Sequence, residues 1–171
     1  MKLSLLTYVL LSLLSTCMAA QLDITRTAFF QATNDEGIKT FLAKANALND
    51  DYITHKAYKG AASAMSAGIA SSVSDKLSRF NEGKKLLEEA VTKDWYNSEI
   101  RFLRFAIQSE TPFFLGYSGN VEDDIQVIVD ALEQKKINHS TDYWKKAIAF
   151  ILKSDALKSK HRTVLTKYQS A

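Results

Sequence analysis

Two arginines, Arg101 and Arg104, stand three residues apart inside the apolar stretch "IRFLRFAIQ" from Ile100 to Gln108. On a helix that spacing puts both guanidinium groups on one face, with Gln108 one turn further on. Planar guanidinium forks suit a carboxylate or a phosphate, so the pair could grip an anionic ligand. The same pair could be scaffold, because charges in an apolar helix need partners. Glu88, Glu89, Asp94 and Asp124 lie in flanking segments and could supply them. Removing one partner of a buried pair costs about 3–5 kcal/mol. Scaffold pairs are the commoner case, and that reading is preferred. Tyr58 and Lys59, next to Gly60, could line a groove for a peptide end. Alternatively, Tyr58 packs under a partner helix. Tyr117 and Gly116 close the apolar loop "PFFLGY", as a plug for one end of the fold or as a lid over a pocket.

Other chemistries find little support. His55, His139 and His161 fall on three separate predicted segments. Neither a His-x-x-x-His nor a Glu-x-x-His pattern occurs, so no metal and no cofactor are expected. Ser63, Ser66 and Ser109 sit in no nucleophile-elbow motif. Asp123 and Asp124 could form an acid–base pair. Their place in a first helical turn explains them through the helix dipole instead.

The opening "MKLSLLTYVLLSLLSTCMAA" has Lys2, an apolar run to about Leu14, then small residues. That is the layout of a secretory leader over residues 1–20, cleaved after Ala19 or Ala20. The run is too short to span a bilayer, which takes about 20 apolar residues. "LSTC" loosely matches a lipoprotein signal, so a lipid anchor at Cys17 is the alternative. Cys17 is the sole cysteine, so a chain cleaved after it has no thiol and no disulfide. Roughly 150 remaining residues suffice to bury one core. The net charge of +3 comes from scattered lysines, and no like-charged block points to nucleic acid. The sequon at Asn138 carries weight only in a eukaryotic secretory pathway, and the leader reads as bacterial.

The elements that must position these residues read as helices. Pro112 is the only proline, and alternation of period two is absent. A first helix is expected over about Asp23–Ala32, with Ile24, Thr27, Ala28 and Phe30 inward. Thr33 or Asn34 caps a second, with Ile38, Phe41, Leu42, Ala45 and Leu48 inward. Asn49–Asp51 cap a third, which is rich in glycine and alanine. Small residues there invite close approach of another helix. Ser72 or Ser74 caps a fourth, with Leu77, Phe80, Leu87, Ala90 and Val91 as its stripe. Ser98 caps a fifth, which Pro112 ends. The sixth spans about Val121–Gln134. The last two cover about Asp142–Leu152, anchored by Tyr143 and Trp144, and Asp155–Tyr168. The fold class is all-α, a single domain over 21–171 with about seven to eight antiparallel helices.

Within this pattern, Gly83, Leu87, Ala90 and Trp95 hold the places of the small, bulky, alanine and proline positions of a tetratricopeptide second helix. "KDWYNSEIR" resembles the turn that follows it, and "AYKGAASA" resembles a first repeat helix, with the interval about ten residues too long. The chain is also similar to a group of uncharacterised exported bacterial proteins through "AYKGAA", "GKKLLEEA", "IRFLR" and "FLGY". The resemblance implies fold and export and transfers no catalytic residue. The expected function is a non-enzymatic interaction module, periplasmic or extracellular, that binds a segment of another exported or envelope protein. The alternative is a small-ligand binder or hydrolase with its pocket around Arg101, Arg104 and Tyr117.

Overall fold

The computed structural model describes residues 5–169, with side chains from Met18 onward. Of the leader expected over 1–20, residues 5–20 belong to α1, whereas its first four residues and the side chains up to that of Cys17, the alternative anchor, lie outside the description. Eight α-helices run in order: α1 (Leu5–Gln31), α2 (Asp35–Asn46), α3 (Ile53–Ser66), α4 (Val73–Lys93), α5 (Ser98–Glu110), α6 (Val121–Glu133), α7 (Asp142–Lys153) and α8 (Ser159–Gln169). Short 3-10 turns at Ala67–Ile69 and Phe113–Leu115 complete the described elements, which include no strand. Among the described residues no helix is long and apolar enough to cross a membrane.

Capping residues decide where the helices begin. Asn34 Oδ1 accepts from Gly37 N–H at 2.9 Å and starts α2. Ser72 Oγ accepts from Asp75 N–H at 3.0 Å and starts α4. α5 is capped by Asn97, not by the expected Ser98. Asn97 Oδ1 takes the N–H groups of Glu99 and Ile100, and its amide donates to Asp94. At α3 the cap position is Tyr52, with no side-chain cap bond. Asn49 folds a local turn onto Asp51 N–H instead, and Asp50 pairs with Lys59 further along the helix.

Adjacent helices pack antiparallel, as the α3–α4 hairpin shows. Lys56 meets Glu89, Gly60 meets Gly83, and Ser63 donates to the Arg79 carbonyl at 3.0 Å. The partners run in opposite order along the two helices. The glycines let the backbones touch: a Cβ on Gly83 would lie 2.5 Å from Ala64 N and from Gly60 O. α5 is the central rod, with every residue from Ile100 to Gln108 buried. Around it Phe29, Phe41, Phe102, Phe105, Tyr143 and Phe150 pack largely edge to face, the arrangement that ring quadrupoles favour. Trp144 leans on Phe102 from α7.

Two expectations about faces, on α1 and α4, are corrected. On α1 the buried stripe is Thr25, Ala28, Phe29 and Ala32, whereas Ile24 is 53% exposed and Thr27 faces solvent. Thr25 is tolerated inside because its hydroxyl donates to the Gln21 carbonyl one turn back. On α4 the buried stripe starts only at Phe80, and Leu77 is half exposed. In the Pro112 loop, Phe113 and Phe114 are 91% and 84% exposed, and only Tyr117 enters the core.

The glycine contact yields a stability prediction. Alanine is favoured over glycine in a helix by about 1 kcal/mol. At Gly83, however, the added methyl meets backbone on two sides, and overpacking costs about 1–3 kcal/mol. Gly83→Ala therefore destabilises in chemical denaturation. Gly68→Ala, where a Cβ meets nothing within 4 Å, leaves stability close to wild type.

Candidate functional site

α5 presents Arg101 and Arg104 toward α6, where Asp124 sits in the first turn. Asp124 Oδ1 accepts from Arg101 Nη1 at 2.8 Å and from Arg104 Nη2 at 2.7 Å. Its Oδ2 accepts from Arg104 Nε at 2.9 Å. Arg104 Nη1 reaches Glu88 on α4 at 2.7 Å, and Tyr117 donates its hydroxyl to the other Glu88 oxygen at 2.8 Å. Arg101 Nε donates to the Trp95 carbonyl at 2.8 Å, and its guanidinium lies over the Trp95 ring, 4.0 Å from the centroid. Arg101 Nη2 makes no hydrogen bond among the described residues, and the stacked indole compensates for part of that loss. Two guanidinium groups and two carboxylates leave the cluster neutral.

The electrostatics follow from burial. Arg101 and Asp124 are fully buried and Arg104 nearly so. Burial pushes the Asp124 carboxyl above its ordinary value, and the two arginines pull against that. Burial weakens Arg104 as a cation, but Asp124 and Glu88 outweigh it and hold its pKa above the ordinary value. Burial, reinforced by Glu88, pushes the Tyr117 phenol far up, so it stays a neutral donor. Asp124 accepts three guanidinium bonds and has no solvent face, so it is not open to a bound molecule.

Of the other sequence candidates, Tyr58 belongs to a second network. Fully buried, it donates to Glu99 Oε1 at 2.8 Å. Arg26 holds Glu99 from α1 through two bonds of 2.8 and 2.6 Å and stacks against Tyr143. Burial drives the Tyr58 phenol well above its usual pKa. Lys59 joins neither network; its ammonium is tied to Asp50 at 2.6 Å. The structure thus gathers Arg101, Arg104 and Tyr117, and places Tyr58 and Lys59 elsewhere. Asp123 and Asp124 are separated by burial, the first exposed and the second inside. Ser63, Ser66 and Ser109 each donate to a main-chain carbonyl, of Arg79, Ser63 and Ala106 respectively. Among the described residues no group of three or more His, Cys, Asp or Glu could hold a metal ion.

The open surface lies elsewhere. An apolar groove of about 800 Å³ opens at one end of the stack. Its floor is Phe29, Ala64, Met65, Phe80, Ala106 and Phe150, and its rim carries Val73, Leu77, Phe114 and Leu115. Val73 and Phe114 are 82% and 84% exposed. Among the described residues, Lys76 on the α4 wall and Glu110 on the α5 wall carry no ion pair. A second hollow of about 570 Å³ is more polar, between α1 and the start of α7, with Arg26, Lys136, Asp142, Tyr143 and Trp144 on its walls. Neither Arg101 nor Arg104 lines either space. Sequence reasoning missed the groove because α1, α3, α4, α5 and the Pro112 loop contribute only their ends to it. The "PFFLGY" run was its one local signal.

Arg101→Met strips Asp124 of one counter-charge in a site without water access. An expected loss of about 3–5 kcal/mol should appear in urea denaturation, with no change in the helical circular dichroism of the folded state.

Compared with family models, with curated proteins and with solved structures, the chain finds no match in any of the three.

Proposed function

We propose that this chain is an exported, non-enzymatic interaction module, periplasmic or extracellular, whose apolar groove receives a helical segment of another exported or envelope protein. The observation that carries this reading is the open groove with Val73, Leu77 and Phe114 at its rim. Fully covering a large apolar side chain is worth about 1.5–3 kcal/mol, so three such residues left in water favour a cover. An amphipathic helix presents apolar side chains at three- and four-residue spacing, which suits a groove of this width. The charges add direction: Lys76 on one wall favours an acidic flank on the partner, and Glu110 on another favours a basic one.

The runner-up, a small-ligand or hydrolase pocket at Arg101 and Arg104, has less support. A ligand there has to displace Asp124 or Glu88 from bonds of 2.7–2.9 Å.

A photo-crosslinker at Leu77, used in the source cell, tests the groove. The expected product is one protein, joined through an amphipathic helical segment and absent when the crosslinker sits at Lys85, which is exposed on the same helix. Phe114→Ser should remove the product without lowering the melting temperature. A product that survives Phe114→Ser, a lipid in place of a protein, or no product at all overturns the proposal.

A further inference from the structure

The C-terminal helix α8 is fastened to α6 through a buried histidine. His161 is 3% exposed. Its Nε2 lies 2.9 Å from Gln126 Oε1, and Gln126 Nε2 donates to Asp130 at 2.7 Å. That second bond turns the amide oxygen toward the imidazole. An amide oxygen only accepts, so the His161 proton sits on Nε2 and Nδ1 is a bare lone pair. Nδ1 is buried and has no hydrogen-bond partner among the described residues. A proton added there creates a buried N–H without an acceptor, and a cation as well.

The charged groups around His161 come from both elements. Lys158, just before α8, and Lys160 in its first turn flank it, and both are paired with Glu122 of α6. Glu122 and Asp130 of α6 favour the imidazolium, and the two lysines oppose it. From α7, the carbonyls of Leu152 and Ser154 hold Arg162. His139, in the α6–α7 loop, meets Tyr168 edge to face near the end of α8. The buried aliphatics on and just before α8 are Leu165 and Leu157, with Val164 and Tyr168 half-buried.

We propose that α8 is an acid-released latch: protonation of His161 at Nδ1 detaches α8 from α6 and exposes the buried Leu165. Burial, followed by Lys160, holds the His161 pKa below its ordinary 6.5. A histidine that is harder to protonate folded than unfolded adds stability above pH 6.5 and loses it as the pH falls. Glu122 is not the trigger. Its lysine partners pull it down to about 2, so its ion pairs persist through the window where His161 titrates. The latch is independent of the groove and stands or falls separately from it.

The test is amide hydrogen exchange on the purified protein at pH 7.5 and pH 5.0, with protection factors corrected for intrinsic rates. Protection across α8 is expected to fall about tenfold at the lower pH, while α3 and α4 hold theirs. His161→Gln, which keeps a donor toward Gln126 but cannot titrate there, should abolish the difference. His139→Gln should leave it intact. Equal α8 protection at both pH values overturns the latch, as does an acid effect that persists in His161→Gln. If that variant does not fold, the wild-type nuclear magnetic resonance titration decides: a His161 pKa at or above 6.5 overturns the proposal.

Discussion

One carboxylate organises the centre of this fold. Asp124 is fully buried and takes three guanidinium bonds, all from the central rod α5. Charges taken out of water cost several kcal/mol each unless they are paired and hydrogen-bonded. Here the pairing is nearly complete, and it works only at one rotation of α5 against α6. Glu88 and Tyr117 extend the constraint to α4 and to the Pro112 loop. Apolar packing alone would tolerate small slips between helices, but a shared carboxylate with fixed bond lengths would not.

A second polar seam does the same work on the other side. Glu99, in the first turn of α5, collects Arg26 from α1 and Tyr58 from α3. α5 is thus pinned by a carboxylate on each of two faces, one its own and one borrowed. The α3–α4 hairpin is held differently, by bare backbone contact at Gly60 and Gly83. Ordered charge and close packing divide the stack between them. The apolar groove lies at the end of the stack, and neither Asp124 nor Glu99 lines it.

Much of this was legible in the chain. The three- and four-residue spacing of Phe41, Ala45 and Leu48 marks α2, and Asp124 was among the carboxylates expected to meet the arginines. Choices between adjacent residues of similar chemistry were not legible. Asn97 and Ser98 can each cap a helix, and the chain direction entering α5 selects Asn97. The buried face of α1 depends on where α2 and α5 lie, so Phe29 rather than Ile24 turns inward. The Arg26–Glu99 pair joins residues far apart in sequence, and no local pattern announces it. The groove is the extreme case: it is made from helix ends, where periodicity carries least information.

The stacking of Arg101 on Trp95 has a practical consequence. The chain has only two tryptophans, and Trp144 sits on α7 against Phe102. Trp95, half exposed, has a guanidinium across one face of its indole. Its fluorescence therefore reports directly on whether the central charges are in place, while Trp144 reports on the aromatic interior. With one tryptophan replaced at a time, each remaining emission becomes an optical gauge of one of the two forces that hold the molecule together.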